Sequence, residues 1–111
     1  MMRLLALSER PTAVVASDDL LAFGAMRAAG ELGYRIPEDL AVVGFNNVRL
    51  AEISNPSLTS IDVHIYELGT AVAELLIEQI REQTQFERSV IIPTHLVVRN
   101  SCGSQSDTSI L

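Results

Sequence analysis

The sequence predicts an α/β fold, a parallel sheet flanked by helices, and three observations predict it. Two short apolar runs, Ala13–Ala16 and Leu40–Phe45, have the length and β-branched content of buried strands. A helix-length apolar stretch separates them and closes at Gly33, the usual residue for a left-handed helix end. Each strand runs directly into a polar pair, Asp18-Asp19 after the first and Asn46-Asn47 after the second. In a parallel sheet both pairs lie on the same edge, where open α/β sheets bind ligands.

Composition bounds the rest. The chain has 111 residues, enough for one domain with a core. It is 48% hydrophobic and 20% charged, a globular balance. Its apolar runs are far too short to span a membrane, and Met1–Leu7 carries too few apolar residues for a signal-peptide core. Cys102 is the single cysteine, so no internal disulfide points to an oxidising compartment and cytoplasm is the default. A net charge of −6 suits a phosphate backbone poorly, so this stretch itself is not expected to grip nucleic acid.

In chain order, Met1–Leu7 reads as the last turns of a helix cut short, or equally as a loose terminus, ended by Pro11. The first strand is Thr12–Ala16. The first full helix is Asp19–Leu32, with Leu21, Ala25, Ala28, Ala29 and Leu32 on one stripe and Leu20, Phe23 and Met26 on a second. A helix apolar on most of its circumference needs a second cover beyond the sheet. Gly24 and Gly30 would let a neighbouring backbone come close. Leu40–Phe45 is the second strand, Val48–Ile53 is short and mixed, and Leu58–Ile61 is a third strand. Ile65–Glu82 is a long helix with one clean stripe, Ile65, Leu68, Val72, Leu75, Leu76 and Ile80, opposite a solvated charged face. Thr84–Arg88 is a polar loop. Ser89–Ile92 and His95–Arg99 read as two strands joined at Pro93-Thr94, and the end is a solvated tail.

The candidate site follows from the two polar pairs. Asp19 is placed to cap its helix, which leaves Asp18 to face a ligand; caps and turn formers without any ligand explain the same pair. Asn46 and Asp18 would together donate to and accept from a hydroxylated ligand, while Asn46-Asn47 alone reads equally as a turn. His64 reads as a capping or surface residue. His64 and His95, with no Cys or carboxylate cluster beside them in the sequence, do not make a metal site.

Four phrases then carry a resemblance: Pro11–Met26, Ile36–Asn47, Pro56–Ile61 and Ile92–Cys102. Together they resemble, in order and spacing, the C-terminal part of a lactose-repressor-family (LacI/GalR) transcriptional regulator. That resemblance implies an N-terminal helix-turn-helix, a hinge and a two-lobed effector domain of the periplasmic-binding-protein type, of which this chain matches a partial, type I portion. It implies a sugar-like or nucleobase-like effector held between lobes, a homodimer, and operator DNA bound only through an N-terminal domain that this sequence does not contain. Asp18 falls on the family's ligand-bonding Asn or Asp, Asp19 on the Asp that follows it, and Asn46 on a ligand-binding Asp. The phrase here, Gly44-Phe45-Asn46-Asn47, keeps hydrogen bonding but removes two charges. The resemblance also assigns 11–62 and 94–103 to the C-terminal lobe and 63–93 to the other lobe, while residues 1–10 read as a truncated helix end and 104–111 as a disordered tail. The dimer contact is expected on Leu20, Phe23, Met26 and Arg27. Asp62-Val63-His64 departs from the family's frequent Arg-Gln-Pro.

Catalysis finds no support in the motifs: there is no nucleophile triad phrase, no phosphate loop and no zinc spacing. Adjacent Asp18 and Asp19 do not make a separated acid–base pair. Asp18 as a nucleophile in a receiver-like or hydrolase-like domain would want a metal or phosphate partner, and all eight basic residues are Arg. No cofactor is expected. A stand-alone or transport-associated sugar-binding protein of the same fold is the alternative.

Overall fold

The computed structural model describes residues 1–82 and 88–104. The predicted loop Thr84–Arg88 lies outside the described residues except for Arg88, and the predicted tail lies outside them beyond Ser104. Helix α1 is Met2–Leu5, strand β1 Ala13–Val15, helix α2 Asp19–Glu31 and strand β2 Ala41–Phe45. They are followed by helix α3 Arg49–Ile53, strand β3 Thr59–Asp62, helix α4 Ile65–Glu82, strand β4 His95–Val97 and a 3₁₀ turn at Asn100–Cys102.

The strands form one sheet in the order β1-β2-β3-β4. β1 pairs with β2, and β2 with β3, in parallel, with Val14 beside Val42 and Val43 beside Thr59. β4 runs antiparallel to β3, so the sheet is mixed rather than purely parallel. The helices connecting β1 to β2 and β2 to β3 allow the parallel pairs. After α4 the chain re-enters the sheet at the end where β3 left it, with His95 opposite Asp62, which turns β4 around.

The core lies between α2 and β2. Ala22 and Ala29 are buried completely, as are Leu40, Val42, Ala51 and Leu58, and Leu5 of α1 joins them. The small alanines bring α2 close to the sheet. This corrects the expected stripe: Ala22 faces inward and Leu21 is exposed. Gly33, at φ 81°, closes α2 in the left-handed conformation that the sequence signalled. Gly24 and Gly30 admit no close neighbour, because an added Cβ would meet nothing within 4 Å.

Two further expectations change. Residues 49–53 form a helix whose N-cap, Val48, offers no side-chain cap bond; the chain entering it is held instead by Asp19 of α2, whose Oδ2 accepts from the Val48 N–H at 2.7 Å. Ser89–Ile92 is not a strand, since it pairs with no strand among the described residues and a ladder needs a partner edge. The C-terminal segment is stitched under the sheet. Ser101 Oγ donates to the Val42 carbonyl at 2.6 Å and accepts from the Thr59 N–H at 2.9 Å, fully buried.

Candidate functional site

The carboxyl ends of β1 and β2 lie side by side, as their parallel register requires. The expected cap of the first polar pair is corrected: Asp18, not Asp19, caps the helix. Asp18 is the N-cap of α2: its backbone is extended and its Oδ1 accepts from the Leu21 N–H at 2.7 Å. Asp19 is not the cap. It is buried at 1% exposure, and its two oxygens accept from Ser60 Oγ at 2.6 Å and from the Val48 N–H. A capping residue must keep non-helical dihedrals just outside the helix. Asp19 is already inside the first turn, where its side chain reaches across to β3 and the start of α3. Gly44 makes room for it, because a Cβ there would stand 2.1 Å from Asp19 Oδ1. The single glycine of β2 and the buried carboxylate are one feature.

At the end of β2, Asn46 and Asn47 both adopt left-handed backbone angles, φ 100° and 51°. Asparagine tolerates that region better than most residues. Asn47 is fully engaged. Its backbone N–H donates to Ser60 Oγ at 3.0 Å, its Nδ2 donates to Asp62 Oδ2 at 3.0 Å, and its Oδ1 accepts from Arg99 Nη2 at 2.8 Å. Arg99 Nη1 in turn donates to the Leu58 carbonyl at 2.7 Å. Asn46 is exposed, and its side-chain amide has no partner among the described residues. That amide lines a cavity of about 270 Å³ together with Asn47, Asp62, His64, Tyr66 and Glu67. A second hollow, about 670 Å³, adjoins it along Val48, Arg49 and Ile65. Asp18 lines neither. The structure therefore brings Asn46 to an open polar mouth and leaves Asp18 at the neighbouring strand end with one oxygen taken by its own helix.

Asp62, which sequence reasoning passed over, sits at the centre of this wall. Its Oδ1 accepts from the His64 N–H at 2.8 Å and its Oδ2 from Asn47. These bonds hold its carboxyl below the ordinary range, the His64 N–H contributing most. The two imidazoles meet, with His95 Nδ1 3.1 Å from His64 Nε2. So both histidines do have a carboxylate neighbour, contrary to the reading from spacing. The Asp62-x-His64 spacing was the available signal; the contact with β4 was not visible.

The expected dimer residues lie along the outer side of α2. Leu20 is 78% exposed. Phe23, Met26 and Arg27 line a groove of about 340 Å³ with Gly30, Tyr34 and Ile36. Phe23 and Met26 also pack partly against the core.

A mixed sheet of four strands flanked by helices, with a polar mouth at the carboxyl edge of its parallel strands, fits a periplasmic binding protein-like domain. The model of that family matches residues 1–102, and the chain belongs to it. Within that class its relatives are LacI-type regulators. The chain is 44% identical to the ribose operon repressor of Halalkalibacterium halodurans over 88 residues, 79% of this chain and 27% of that protein. It superimposes on a solved LacI transcriptional regulator from Bacillus cereus subsp. cytotoxis with a TM-score of 0.88 and 37% identity, covering 91% of this chain and 36% of that one. A LacI family regulator from Enterococcus faecium, solved with bound ribose, matches with a TM-score of 0.81 and 35% identity over 91% of this chain and 37% of its own. The chain spans less than a third of the length of the curated relatives it matches. Among the described residues no helix is long and apolar enough to cross a membrane.

Proposed function

We propose that this chain is the effector-binding and dimerising portion of a cytoplasmic LacI-family transcriptional regulator, with a sugar or sugar derivative as effector. The observation that carries the reading is the unpartnered Asn46 amide at the carboxyl end of β2. An amide both donates and accepts, which suits a hydroxyl pair. Asp18, with its second oxygen uncommitted, is the neighbouring ligand group. The ribose carried by the similar Enterococcus faecium regulator supports the ligand class. The role is binding and not catalysis: Asp19 is spent as an internal clamp, and Asp18 gives one oxygen to its own helix and keeps the other for a ligand hydroxyl. Operator DNA is reached through a helix-turn-helix outside this stretch.

A cleft ligand takes its orientation from both walls, so binding to this stretch alone is weak. Ribose is therefore titrated into this chain up to high concentration and followed by amide NMR shifts. The expected result is a saturable shift concentrated at Asn46 and Asp18, abolished by Asn46→Ala. Shifts scattered over the surface, or none at high ribose, overturn the reading.

Residues 63–93 are best read as belonging to the other lobe of the effector domain, which accounts for the exposed stripe of α4. Homodimerisation through Leu20, Phe23, Met26 and Arg27 completes the proposal. It predicts a dimer mass by light scattering at high micromolar concentration; a monomer mass there counts against that interface.

A further inference from the structure

We propose that Asp62, His64 and His95 form a binding site for a divalent transition metal ion of the zinc type, at the turn where the chain leaves β3. One ligand atom from each of the three residues lies within 4.8 Å of the other two. The donors come from three places in the fold: the last residue of β3, the residue just before α4, and the first residue of β4. The antiparallel register sets Asp62 opposite His95, so the sheet itself makes the meeting.

The imidazole pair is the telling part. His95 Nδ1 and His64 Nε2 are 3.1 Å apart, with ring centroids 4.9 Å apart and planes tilted by 37°. Two such nitrogens attract each other only if a positive centre, a proton or a cation, lies between them. Two zinc–nitrogen bonds of about 2.0–2.1 Å at a tetrahedral angle set the nitrogens about 3.4 Å apart, so the rings part by a few tenths of an ångström while the three donors draw in from a spread of up to 4.8 Å. Asp62 supplies charge compensation. Each of its oxygens already accepts one hydrogen bond, from the His64 N–H and from Asn47 Nδ2, and each keeps a lone pair for a cation. Asn47 is itself fixed by Arg99, so the carboxylate is oriented by a second layer, as metal-binding carboxylates commonly are. His64 is held at φ 51° by the same Asp62 bond, which aims its ring at His95. Imidazole with one carboxylate selects zinc, copper or nickel over magnesium and calcium. Three protein donors leave a fourth position, and Asp62 and His64 line the cavity that Asn46 also lines. This goes beyond the effector reading and does not depend on it.

The full chain, stripped with a chelator, is titrated with zinc chloride at neutral pH by calorimetry. In parallel, the ring nitrogens of both histidines are followed by NMR. The expected result is about one zinc per chain, both rings shifting together, and no competition from magnesium. His95→Ala, at an exposed position, and His64→Asn, which tolerates the left-handed backbone, each weaken uptake about tenfold or more. No saturable uptake, rings that do not shift together, or uptake that survives both substitutions overturns the site. The ring shifts are read on the unmodified chain, so that test stands even if a variant misfolds.

Discussion

Helices α2 and α4 invert the usual relation between pattern and burial. The stripe of α4 is the cleaner of the two, yet none of its described residues is buried. α2 is apolar around most of its girth and buries Ala22, Ala25 and Ala29 as well as Asp19. An amphipathic pattern states that a helix has a face to cover. It does not state what covers it. α2 has β2 within its own chain, whereas the stripe of α4 is covered by nothing among the described residues. The two halves should therefore respond very differently to substitution.

The largest expected effect lies on the α2 side. Asp19→Ala removes the acceptor at the centre of this clamp and leaves the Val48 N–H and the Ser60 hydroxyl proton without their acceptor, while Ser60 Oγ still accepts from the Asn47 N–H. Each orphaned buried group costs about 1–3 kcal/mol, so the variant should lose about 3 kcal/mol in urea unfolding. Gly44→Ala should act in the same direction, since its new methyl would occupy the space of the Asp19 carboxylate. The double variant should then lose less than the sum of the two, because both break one feature. Additive losses would separate Gly44 from Asp19 and break that part of the comparison.

How much was legible follows the same divide. The strands and the two long helices were visible, because hydrophobic period and glycine punctuation are local signals; Ile65–Glu82 matches the expected helix from end to end. What was hidden was long-range. Asp18 and Asp19 are alike in sequence, and only the position of Ser60, 41 residues away, decides which one turns inward. Helix α3 lacks a local capping side chain, because its support comes from α2. The meeting of Asp62, His64 and His95 depends on an antiparallel register between β3 and β4 that no local spacing encodes. Asn46 was legible as a candidate, but Asn47 was not legible as its rigid mount.

A smaller effect comes from acid, and it separates the turn after α2 from the mouth. Asp39 accepts from the Arg35 backbone N–H at 2.9 Å and from its guanidinium at 2.9 and 3.1 Å. The guanidinium hydrogen bonds above all, then the backbone bond, lower its pKa from 3.8 to about 2. A carboxyl depressed on folding stabilises at pH above its unfolded value, and that contribution is lost as pH falls through the folded one. Asp39 should therefore contribute fully above pH 3.8 and lose its contribution as pH falls to about 2. Asp62 is shifted in the same direction, but chiefly by the His64 N–H. Carboxyl-carbon NMR of Arg35→Gln should move the Asp39 titration back toward the ordinary range and leave Asp62 in place. If both titrations move together, the turn and the mouth are coupled and the halves are not independent.

The smallest expected effect tests the comparison most severely. Leu76 and Ile80 stand in the C-terminal half of the α4 stripe and are 55% and 68% exposed. By sequence pattern alone they are core residues, whose truncation would cost about 2–5 kcal/mol each. Among the described residues they are not buried, so a polar side chain displaces no core contact. Leu76→Gln and Ile80→Gln should therefore change unfolding free energy by no more than about 0.5 kcal/mol each, the ordinary range for a surface position. Glutamine keeps helix propensity close to that of leucine, so the measurement reads burial and not helix formation. A loss well above 1 kcal/mol would mean that the stripe is covered in solution. Its dependence on protein concentration would then say by what: a loss that grows with concentration points to a second copy, because only an intermolecular cover follows mass action. A loss independent of concentration points to the chain folding α4 back on itself. With no loss, the α4 stripe stands uncovered in solution, as the proposed assignment of residues 63–93 to another lobe expects.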